Sequence, residues 1–460
     1  MNGHPTIMIR PLYLAGLLAL LGGCANTTAL ETRSQPNAPT PQNMAPPDDT
    51  TAPLARELQQ DDAVALALAR SPSLAGTRAQ TRADQQDLLD QSRPALLGFS
   101  LERLRRGDER EINRTLSINL IDWLTWPWRA QRADAQVKAS DLALSQRLLA
   151  HTQQVRSQWV RAVAAQQRLR YRDDLLAAAR AQAELAGRMQ QAGHINQADA
   201  QAQQLWQAQA EIDLLAATQR ARQEREALVR LIGLRGDDVL ALQLPRQLPA
   251  LPEAPRDAQA LVSQAREQGL QAQLAYARWQ SAASQRQHLG WTSWVDLEAG
   301  LERNSSNTQA TQHGGLLDIR LTRFDFGAAR RDADSAAEQA ALLQWQQAVV
   351  DSESALRTQV AQEQNCWQQA RQHRQSLQPA RARLLEERLK HYNGMLTGPF
   401  ELIAEARSQV EGVLSAIDAD EAYWLSQVAT DAAIQGVAPE TPRPEARTAP
   451  SPFDIRGRHA

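Results

Sequence analysis

Hydrophobic and polar positions follow two different periods along this chain. In four segments apolar and polar residues alternate, which is typical of strands with one apolar face. These segments are 97–101, 116–120, 295–301 and 317–321. Elsewhere apolar residues recur at steps of seven and four, as at Val137, Leu144, Leu148, Val155 and Trp159, which is the spacing of coiled coils. The pattern therefore predicts a mainly α-helical chain with a small β part.

The same order of segments occurs twice at a constant offset. Leu116 and Trp159 correspond to Leu317 and Val360, each 201 positions later. We therefore predict two repeats, each made of a helix, a β-hairpin and a long helical hairpin. The repeats are predicted at 56–250 and 251–436, their β-hairpins at 95–124 and 291–326, and polar loops within those hairpins at 102–111 and 302–315.

The helical hairpins are predicted to be very long. No proline interrupts residues 130–191, which corresponds to about 93 Å of helix at 1.5 Å per residue. Gly193 and Gly394 follow the outgoing helices of the two repeats. We predict that each glycine supplies the positive φ of the turn at its hairpin tip. The returning helices are predicted to end near Gly233 and Gly436.

The N-terminal segment predicts export and lipidation. Residues 11–22 are apolar but too short to span a bilayer as a helix, and Leu21-Gly22-Gly23-Cys24 resembles the bacterial lipobox. This predicts a lipoprotein signal peptide at 1–23 and acylation of Cys24. The alternative is an ordinary secretory signal followed by an unrelated cysteine.

Two proline-rich segments flank the repeats. Residues 24–55 are predicted to form an extended linker behind the lipid, and residues 437–460 a disordered tail. Neither segment contains a recognisable functional motif.

Composition excludes several classes of protein. The net charge of −2 gives no basis for a strongly basic nucleic-acid binder, and the mean hydropathy of −0.50 excludes a bundle of membrane-spanning helices. With only 2 cysteines the chain has no disulfide framework and no cysteine-based zinc site. No phosphate loop or nucleophile constellation is present, so we predict no enzyme, no cofactor and no metal site.

Four strands with one apolar face are too few to form a closed barrel within one chain. A sheet in a membrane must close into a barrel, and the smallest such barrels have about eight strands. If these strands meet lipid, the chain must therefore form oligomers. Aromatic residues at the strand–helix junctions are predicted to lie at the membrane interface; the alternative is that they pack the joint. These residues are Trp123, Trp126, Trp128, Trp291 and Trp294.

Several motifs together resemble the TolC-type outer-membrane efflux proteins over nearly the whole mature chain. The motifs are AVALALARSPSLAGTRAQ, the strand exits INLIDWLTWPWRAQ and IRLTRFDFGAARR, and the tips QQAGHINQADAQ and HYNGMLTGPFELIAEARSQ. The resemblance implies a homotrimer anchored in the outer membrane, with a 12-stranded β-barrel and a periplasmic α-barrel of 12 helices. It also implies export of solutes together with a periplasmic adaptor protein and an inner-membrane pump.

The resemblance further implies where the tunnel is gated and where the adaptor docks. The family narrows its tunnel with two carboxylates just after the second tip. Glu401 matches the first of these carboxylates, if one residue is inserted after Gly394. At the position of the second carboxylate this chain has Ala404, with Glu405 next to it. Asp199 holds the related place in the first repeat. The alternative for each is a solvated helical carboxylate. Adaptor docking is predicted at Gly193, His194, Gly394 and Met395.

The transported solute is the least determined feature of the sequence. The second tip is most similar to family members from copper or heavy-metal resistance systems, and His391 and Met395 stand four positions apart. Two soft ligands do not make a site, so a surface pair is the simpler interpretation. A second class of function stays open, namely a non-conducting periplasmic coiled-coil lipoprotein with a structural role in the envelope.

Overall fold

The computed structural model describes residues 56–94, 97–287, 294–321 and 325–437. The predicted signal peptide, Cys24 and the linker lie outside these residues. So do Trp291 and the predicted tail from residue 438 onward.

The first repeat runs from two short helices through a β-hairpin into a long helical hairpin. Its elements are α1 (Gln60–Arg70), α2 (Pro72–Ser92), β1 (Gly98–Arg106), β2 (Glu109–Asn119), α3 (Leu120–Gln191), α4 (Gln197–Ile232) and the short α5 (Asp237–Ala241).

The second repeat has the same order of elements. It comprises α6 (Ala258–Gln268), α7 (Leu270–Gln287), β3 (Val295–Ser306), β4 (Gln312–Leu321), α8 (Ala328–Gln372), a π-helical segment (His373–Leu377), α9 (Gln378–Asn393) and α10 (Pro399–Ile434).

The four strands form one antiparallel sheet in the order β1-β2-β3-β4. Strands β1 and β4 are its edges. The helices that flank the strands in the chain, α2, α3, α7 and α8, lie at one end of the sheet, and both hairpin turns lie at the other. Gly107, with a φ of 63°, and Asp108 form the first turn. Asn307 in the second turn accepts a hydrogen bond from the Arg110 backbone N–H and donates one to the Asp108 carbonyl.

Most of the residues predicted as polar loops belong to the strands. Within 102–111 only Gly107 and Asp108 separate the strands, and within 302–315 only residues 307–311 do. The prediction was wrong because it followed hydrophobicity alone. In these segments the period of two continues in the sign of charge, as in Glu102, Arg103 and Arg105. Each strand is 9 to 12 residues long, which suits a membrane-spanning strand of roughly ten.

Helix α3 begins about ten residues earlier than its predicted start. Strand β2 ends at Asn119, and the Asn119 side chain accepts a hydrogen bond from the Asp122 backbone N–H at 3.0 Å. This N-cap starts the helix, so the first β-hairpin does not reach residue 124. The helix contains 72 residues, or about 108 Å at 1.5 Å per residue. Among the described helices, none is long and apolar enough to cross a membrane.

The main core lies where the helices of the two repeats meet. Buried residues of α1, α3, α4 and α10 form one cluster there, in which Trp159 is a central member. The Trp159 indole N–H donates a hydrogen bond to the Leu58 carbonyl at 2.8 Å. The segment that precedes α1 pairs with Gln243 through an isolated parallel bridge at Glu57. The first helix is thereby fixed against the connection between the repeats.

Three arginine–carboxylate clusters join the helices that surround this core. Arg256, between the repeats, contacts Glu363 on α8 at 2.5 Å and Asp431 on α10 at 2.6 Å. Both carboxylates hold the pKa of the Arg256 guanidinium above its usual value, against the opposing effect of burial.

The other two clusters hold α10 from either side. Arg168 on α3 contacts Asp418 at 2.6 Å and also Glu421. Arg374 in the π-helical segment contacts Asp420 at 2.7 Å. Helix α10 is therefore clamped both by the first repeat and by its own hairpin partner.

The π-helical segment accounts for a change of register between the repeats. Val155 and Trp159 of α3 are buried, as are Leu356 and Val360 of α8, which are 201 positions later. Beyond the segment His373–Leu377 the equivalent positions are 202 apart. Helix α4 has its N-cap at Asn196 and α10 at Gly398. A π-helical turn holds one extra residue within a continuous helix, so the inserted residue lies here and not after the tip.

Candidate functional site

The two faces of the sheet differ sharply in chemistry. One face, here called the apolar face, carries hydrophobic side chains, most of which are exposed in the single chain, with Leu301 69% exposed. The register places these residues side by side across the strands. They are Phe99, Leu101, Leu116, Ile118, Val295, Leu297, Ala299, Leu301, Leu317, Ile319 and Leu321.

The opposite face, here called the acidic face, carries every carboxylate of the four strands. They are Glu102, Glu109, Glu111, Asp296, Glu298, Glu302 and Asp318. Polar side chains accompany them, and the Asn119 amide donates to Asp296 at 2.7 Å. Arg320 on this face contacts Asp318 at 2.6 Å and Glu298 at 3.4 Å. A sheet with one apolar and one hydrated face is the pattern of a wall between lipid and a water-filled lumen.

The aromatic residues form pairs at the end of the sheet where the helices begin. Trp123, Trp126 and Trp128 lie in the first turns of α3 and are substantially exposed. The rings of Trp123 and Trp126 meet edge to face at 6.3 Å. Trp294 precedes β3 and meets Phe326 at 5.2 Å. The predicted interface aromatics that the structure describes are thus on helical turns and loops rather than on the strands.

The two hairpin tips have the same backbone geometry, but only one uses glycine for it. Gly193 has a φ of 75°, as predicted. Gly394 has a φ of −81°, and Met395 adopts the left-handed conformation with a φ of 59°. The prediction for Gly394 was wrong because the π-helical segment shifts the register by one, so Met395 is the equivalent of Gly193.

Hydrogen bonds at the tips confirm this correspondence. The His194 N–H donates to the Met189 carbonyl, and the Leu396 N–H donates to the His391 carbonyl, each five residues back. Met395 is 94% exposed, and Leu396 is also well exposed. The second tip therefore presents two apolar side chains to its surroundings. Nearby, Lys390 lies 2.8 Å from Glu387 and lowers the pKa of that carboxyl.

The candidate gate carboxylates occupy equivalent positions in the two repeats. Asp199 is the third residue of α4 and Glu401 is the third residue of α10. The Asn196 side chain caps α4 by accepting the Asp199 N–H at 2.8 Å. Glu401 lies 3.8 Å from Arg388 of its own hairpin. Glu405 lies one turn further along α10, on the same side as Glu401.

A contact between the two helical hairpins was not predicted from the sequence. The Arg407 guanidinium lies 5.3 Å from the centre of the Trp206 ring. These residues stand near the starts of α10 and α4, about two turns beyond Glu401 and Asp199. The contact keeps the two returning helices together near the tips. A tryptophan and an arginine on separate helices carry no sequence pattern that would have revealed it.

The described residues contain no group of three or more side chains suited to hold a metal ion. His391 and Met395 belong to the same tip, where the backbone of His391 accepts the Leu396 N–H. They remain a pair of surface residues.

The sequence matches no protein-family model and no curated protein. Its structure is similar to several solved structures. The Campylobacter jejuni outer membrane channel CmeC matches with a TM-score of 0.69 and 13% identity, over 84% of this chain and 87% of that one. The Vibrio cholerae outer membrane protein VceC matches with a TM-score of 0.67 and 15% identity, over 82% and 96%.

A third similar structure is CusC, a protein that forms a transmembrane channel. It matches with a TM-score of 0.65 and 14% identity, over 88% of this chain and 98% of that one. In all three comparisons the alignment covers most of this chain and most of the other chain, but the sequence identity is low. The comparisons therefore establish the fold. The two repeats of strands and long helical hairpins therefore adopt the TolC-type fold of these outer-membrane proteins.

Proposed function

We propose that this protein is the outer-membrane channel of a tripartite efflux system, in which three copies form a passive duct for small solutes. The observation that carries the proposal is the segregation of the sheet into an apolar and an acidic face. That sheet continues directly into helices of about 100 Å. A structural tether has no need of a sheet whose exposed side is apolar.

Closure of the sheet supports a trimer. The edges β1 and β4 leave backbone N–H and C=O groups unpaired, which lipid does not tolerate. Three copies supply 12 strands, within the range of outer-membrane barrels. The apolar face would then meet lipid and the acidic face would line the lumen. Acylation of Cys24 would anchor each copy in the same membrane.

The acidic face supports cations and cationic solutes as the transported class. Rings of carboxylates favour cations in a narrow pore. This class includes the copper or other heavy-metal ions predicted from the sequence of the second tip. No ligand site on the described residues is required for a duct of this kind, because its walls need only be hydrated and of the right charge.

The tips are proposed to dock the periplasmic adaptor and to hold the gate. Met395 and Leu396 offer apolar contacts beside the turn, and Gly193 and His194 form the equivalent surface of the first repeat. Asp199 and Glu401 begin the returning helices at equivalent positions, and a trimer would bring six such carboxylates to one level. Glu405 would form a second level one turn further along the tunnel.

Conductance in a planar bilayer tests this proposal. We expect the detergent-purified trimer to give small, cation-selective current steps, and Glu401→Ala to enlarge them because a carboxylate leaves the constriction. Glu386→Ala is the matched control, since Glu386 is an exposed carboxylate of the same hairpin and pairs with Lys390. It should leave the conductance unchanged.

Other results would separate the parts of the proposal. Equal effects of the two substitutions would keep the channel and remove Glu401 from the gate. A well-folded trimer without conductance would instead favour the non-conducting periplasmic lipoprotein.

A further inference from the structure

A group of arginines lies on the apolar face of the sheet, at the end remote from the helices. Going from the helices toward the turns, the continuous hydrophobic rows on this face end at Leu101 and Leu301, and only Ile112, opposite Arg103, lies beyond them. Basic residues then take their place. These residues, here called the arginine band, are Arg103, Arg105, Arg110, Arg114 and Arg303, with His313 beside them.

The register sets like charges directly opposite one another. Arg105 pairs with Arg110, and Arg114 pairs with Arg303, which in turn pairs with His313. Like charges at directly opposite positions of a sheet destabilise it. An isolated protein gains nothing from this arrangement, so the band indicates that a negatively charged partner compensates it.

The described residues do not supply the compensating charge on this face. All carboxylates of the strands lie on the acidic face, and none of the five arginines has an ion pair with a described residue. Their hydrogen bonds engage few of their donors: Arg114 donates to the Ser305 hydroxyl at 3.4 Å and Arg105 to the Gly107 carbonyl at 3.2 Å. Each guanidinium has five N–H donors, so most remain available.

The position of the band identifies the partner. Arg114 stands two residues from Leu116 on β2, and Arg303 two residues from Leu301 on β3, so the charges begin about 7 Å beyond the hydrophobic rows. If the apolar face meets lipid, the band lies at the level of the headgroups. Guanidinium groups bind phosphate oxygens in pairs of parallel hydrogen bonds.

We infer that the arginine band is a binding surface for the phosphate groups of anionic lipid headgroups, in the leaflet remote from the long helices. The inference rests on the proposed function, because it requires the apolar face to meet the membrane. The band fixes the height of the sheet in the bilayer and selects the lipids around it. The two faces then have different functions: the arginine band binds lipid phosphates on the outside of the barrel, and the acidic face lines the path of cations through the lumen.

Lipid binding by the full-length protein in a neutral detergent tests the inference. The probe is phosphatidylglycerol, compared with phosphatidylcholine, and native mass spectrometry measures the bound lipid. A basic residue near an anionic surface contributes about 1 kcal/mol, or about a fivefold change in affinity. We therefore expect Arg114→Gln to weaken phosphatidylglycerol binding about fivefold, and Arg114→Gln with Arg303→Gln about 25-fold.

Two controls separate charge from folding and from location. Arg320→Gln removes one positive charge from the acidic face and should leave lipid binding unchanged. The double variant Arg114→Lys with Arg303→Lys keeps the charge but loses the paired geometry, and should retain most of the affinity. Circular dichroism of each variant reports the fold.

Failure of the inference and failure of the proposed function give different results. Equal binding of the two lipids by the wild type, or equal weakening by Arg320→Gln and Arg114→Gln, would overturn the lipid surface. Conductance of the same preparations in a phosphatidylcholine bilayer reports the channel independently. A protein that conducts ions but shows no lipid preference would contradict only the proposed lipid binding. A protein that prefers phosphatidylglycerol but does not conduct would contradict only the proposed channel.

Discussion

At the scale of single residues, Gly233 shows where a glycine is indispensable. It ends α4 with a φ of 85°, and a Cβ there would lie 2.8 Å from the Arg70 carbonyl and 2.9 Å from the Pro72 ring. Gly233→Ala combines the cost of a left-handed residue with a clash, together about 3 kcal/mol. Denaturant unfolding monitored by circular dichroism measures this loss.

Gly193→Ala is the matched substitution for Gly233→Ala. Gly193 has a similar φ of 75°, but nothing lies within 4 Å of its added Cβ. Only the backbone cost of about 1 kcal/mol is expected. Equal losses for the two variants would show that the close approach to Arg70 and Pro72 has no energetic weight.

Arg256 should be one of the charged residues of the core whose loss costs most stability. The Glu363 side chain is only 5% exposed, and Arg256→Met leaves it without its arginine. Breaking a buried ion pair from one side costs about 3 to 5 kcal/mol. The exposed pair of Arg188 and Glu184 provides the comparison, and Arg188→Met should cost less than about 1 kcal/mol. Unfolding midpoints of the two variants measure the contrast, and similar midpoints would contradict it.

His151 should make the stability depend on pH. Burial lowers the pKa of His151, partly opposed by its hydrogen bond to the Leu231 carbonyl. The folded state therefore prefers the neutral ring. The stabilisation is present above the unfolded pKa of about 6.5 and is lost as the pH falls through the lower, folded pKa.

The melting temperature at pH 8 and at pH 5 checks this dependence. The wild type should lose more stability on acidification than His151→Gln, which keeps a donor but does not titrate. His391→Gln, at the exposed tip, should lose as much as the wild type. A wild type and a His151→Gln variant with identical pH profiles would refute the role of His151.

At the scale of elements, the π-helical segment explains how two repeats of unequal length keep the same tip. It absorbs one residue between the buried positions of α8 and the turn after α9. We therefore expect deletion of Ser376, which is exposed within this segment, to convert it into a regular helix. The packing on both sides should be preserved, with a melting temperature close to that of the wild type.

Deletion of Ser354 is the matched control. Ser354 is exposed on the regular helix α8, where loss of one residue rotates everything beyond it by about 100°. Burial of Leu356 and Val360 would be disrupted, and we expect a large drop in melting temperature or no folded protein. Equal tolerance of the two deletions would contradict the assignment of the inserted residue to the π-helical segment.

The elements also show what the sequence could predict and why the rest escaped. Long helices and alternating strands followed directly from the spacing of apolar residues, because burial imposes those periods. The ends of the strands were not predicted, because in these parts the two faces differ in the sign of charge and not in hydrophobicity. The left-handed backbone conformation of Met395 was not predicted, because a single inserted residue that is absorbed within a helix cannot be recognised from hydrophobic spacing.

The candidate site divides in the same way. Asp199 and Glu401 were implied by the resemblance to the efflux family, and the structure places them at equivalent helix positions. The contact of Arg407 with Trp206 and the segregation of charge across the sheet depend on tertiary packing and strand register. Neither is visible until the strands and hairpins are set side by side.

At the scale of the whole molecule, the charge of the acidic face should govern ion selectivity. If the acidic face lines the lumen of the proposed trimer, Glu102→Gln with Glu302→Gln should move the ratio of cation to anion permeability toward one, because each trimer would lose six charges from that lumen. Reversal potentials in a salt gradient measure the ratio. Arg114→Gln, on the apolar face of the same sheet, should leave this ratio unchanged, and an equal shift would contradict the proposed roles of the two faces.

The even number of strands in each chain has a consequence for assembly. Strand β4 runs opposite to β1, so β4 of one copy can pair with β1 of the next without a break in the antiparallel pattern. An odd number would force a parallel junction at every boundary. Strand polarity therefore permits a ring of any number of copies. In the proposed channel, the number of subunits is therefore set by the packing of the helices and not by the direction of the strands.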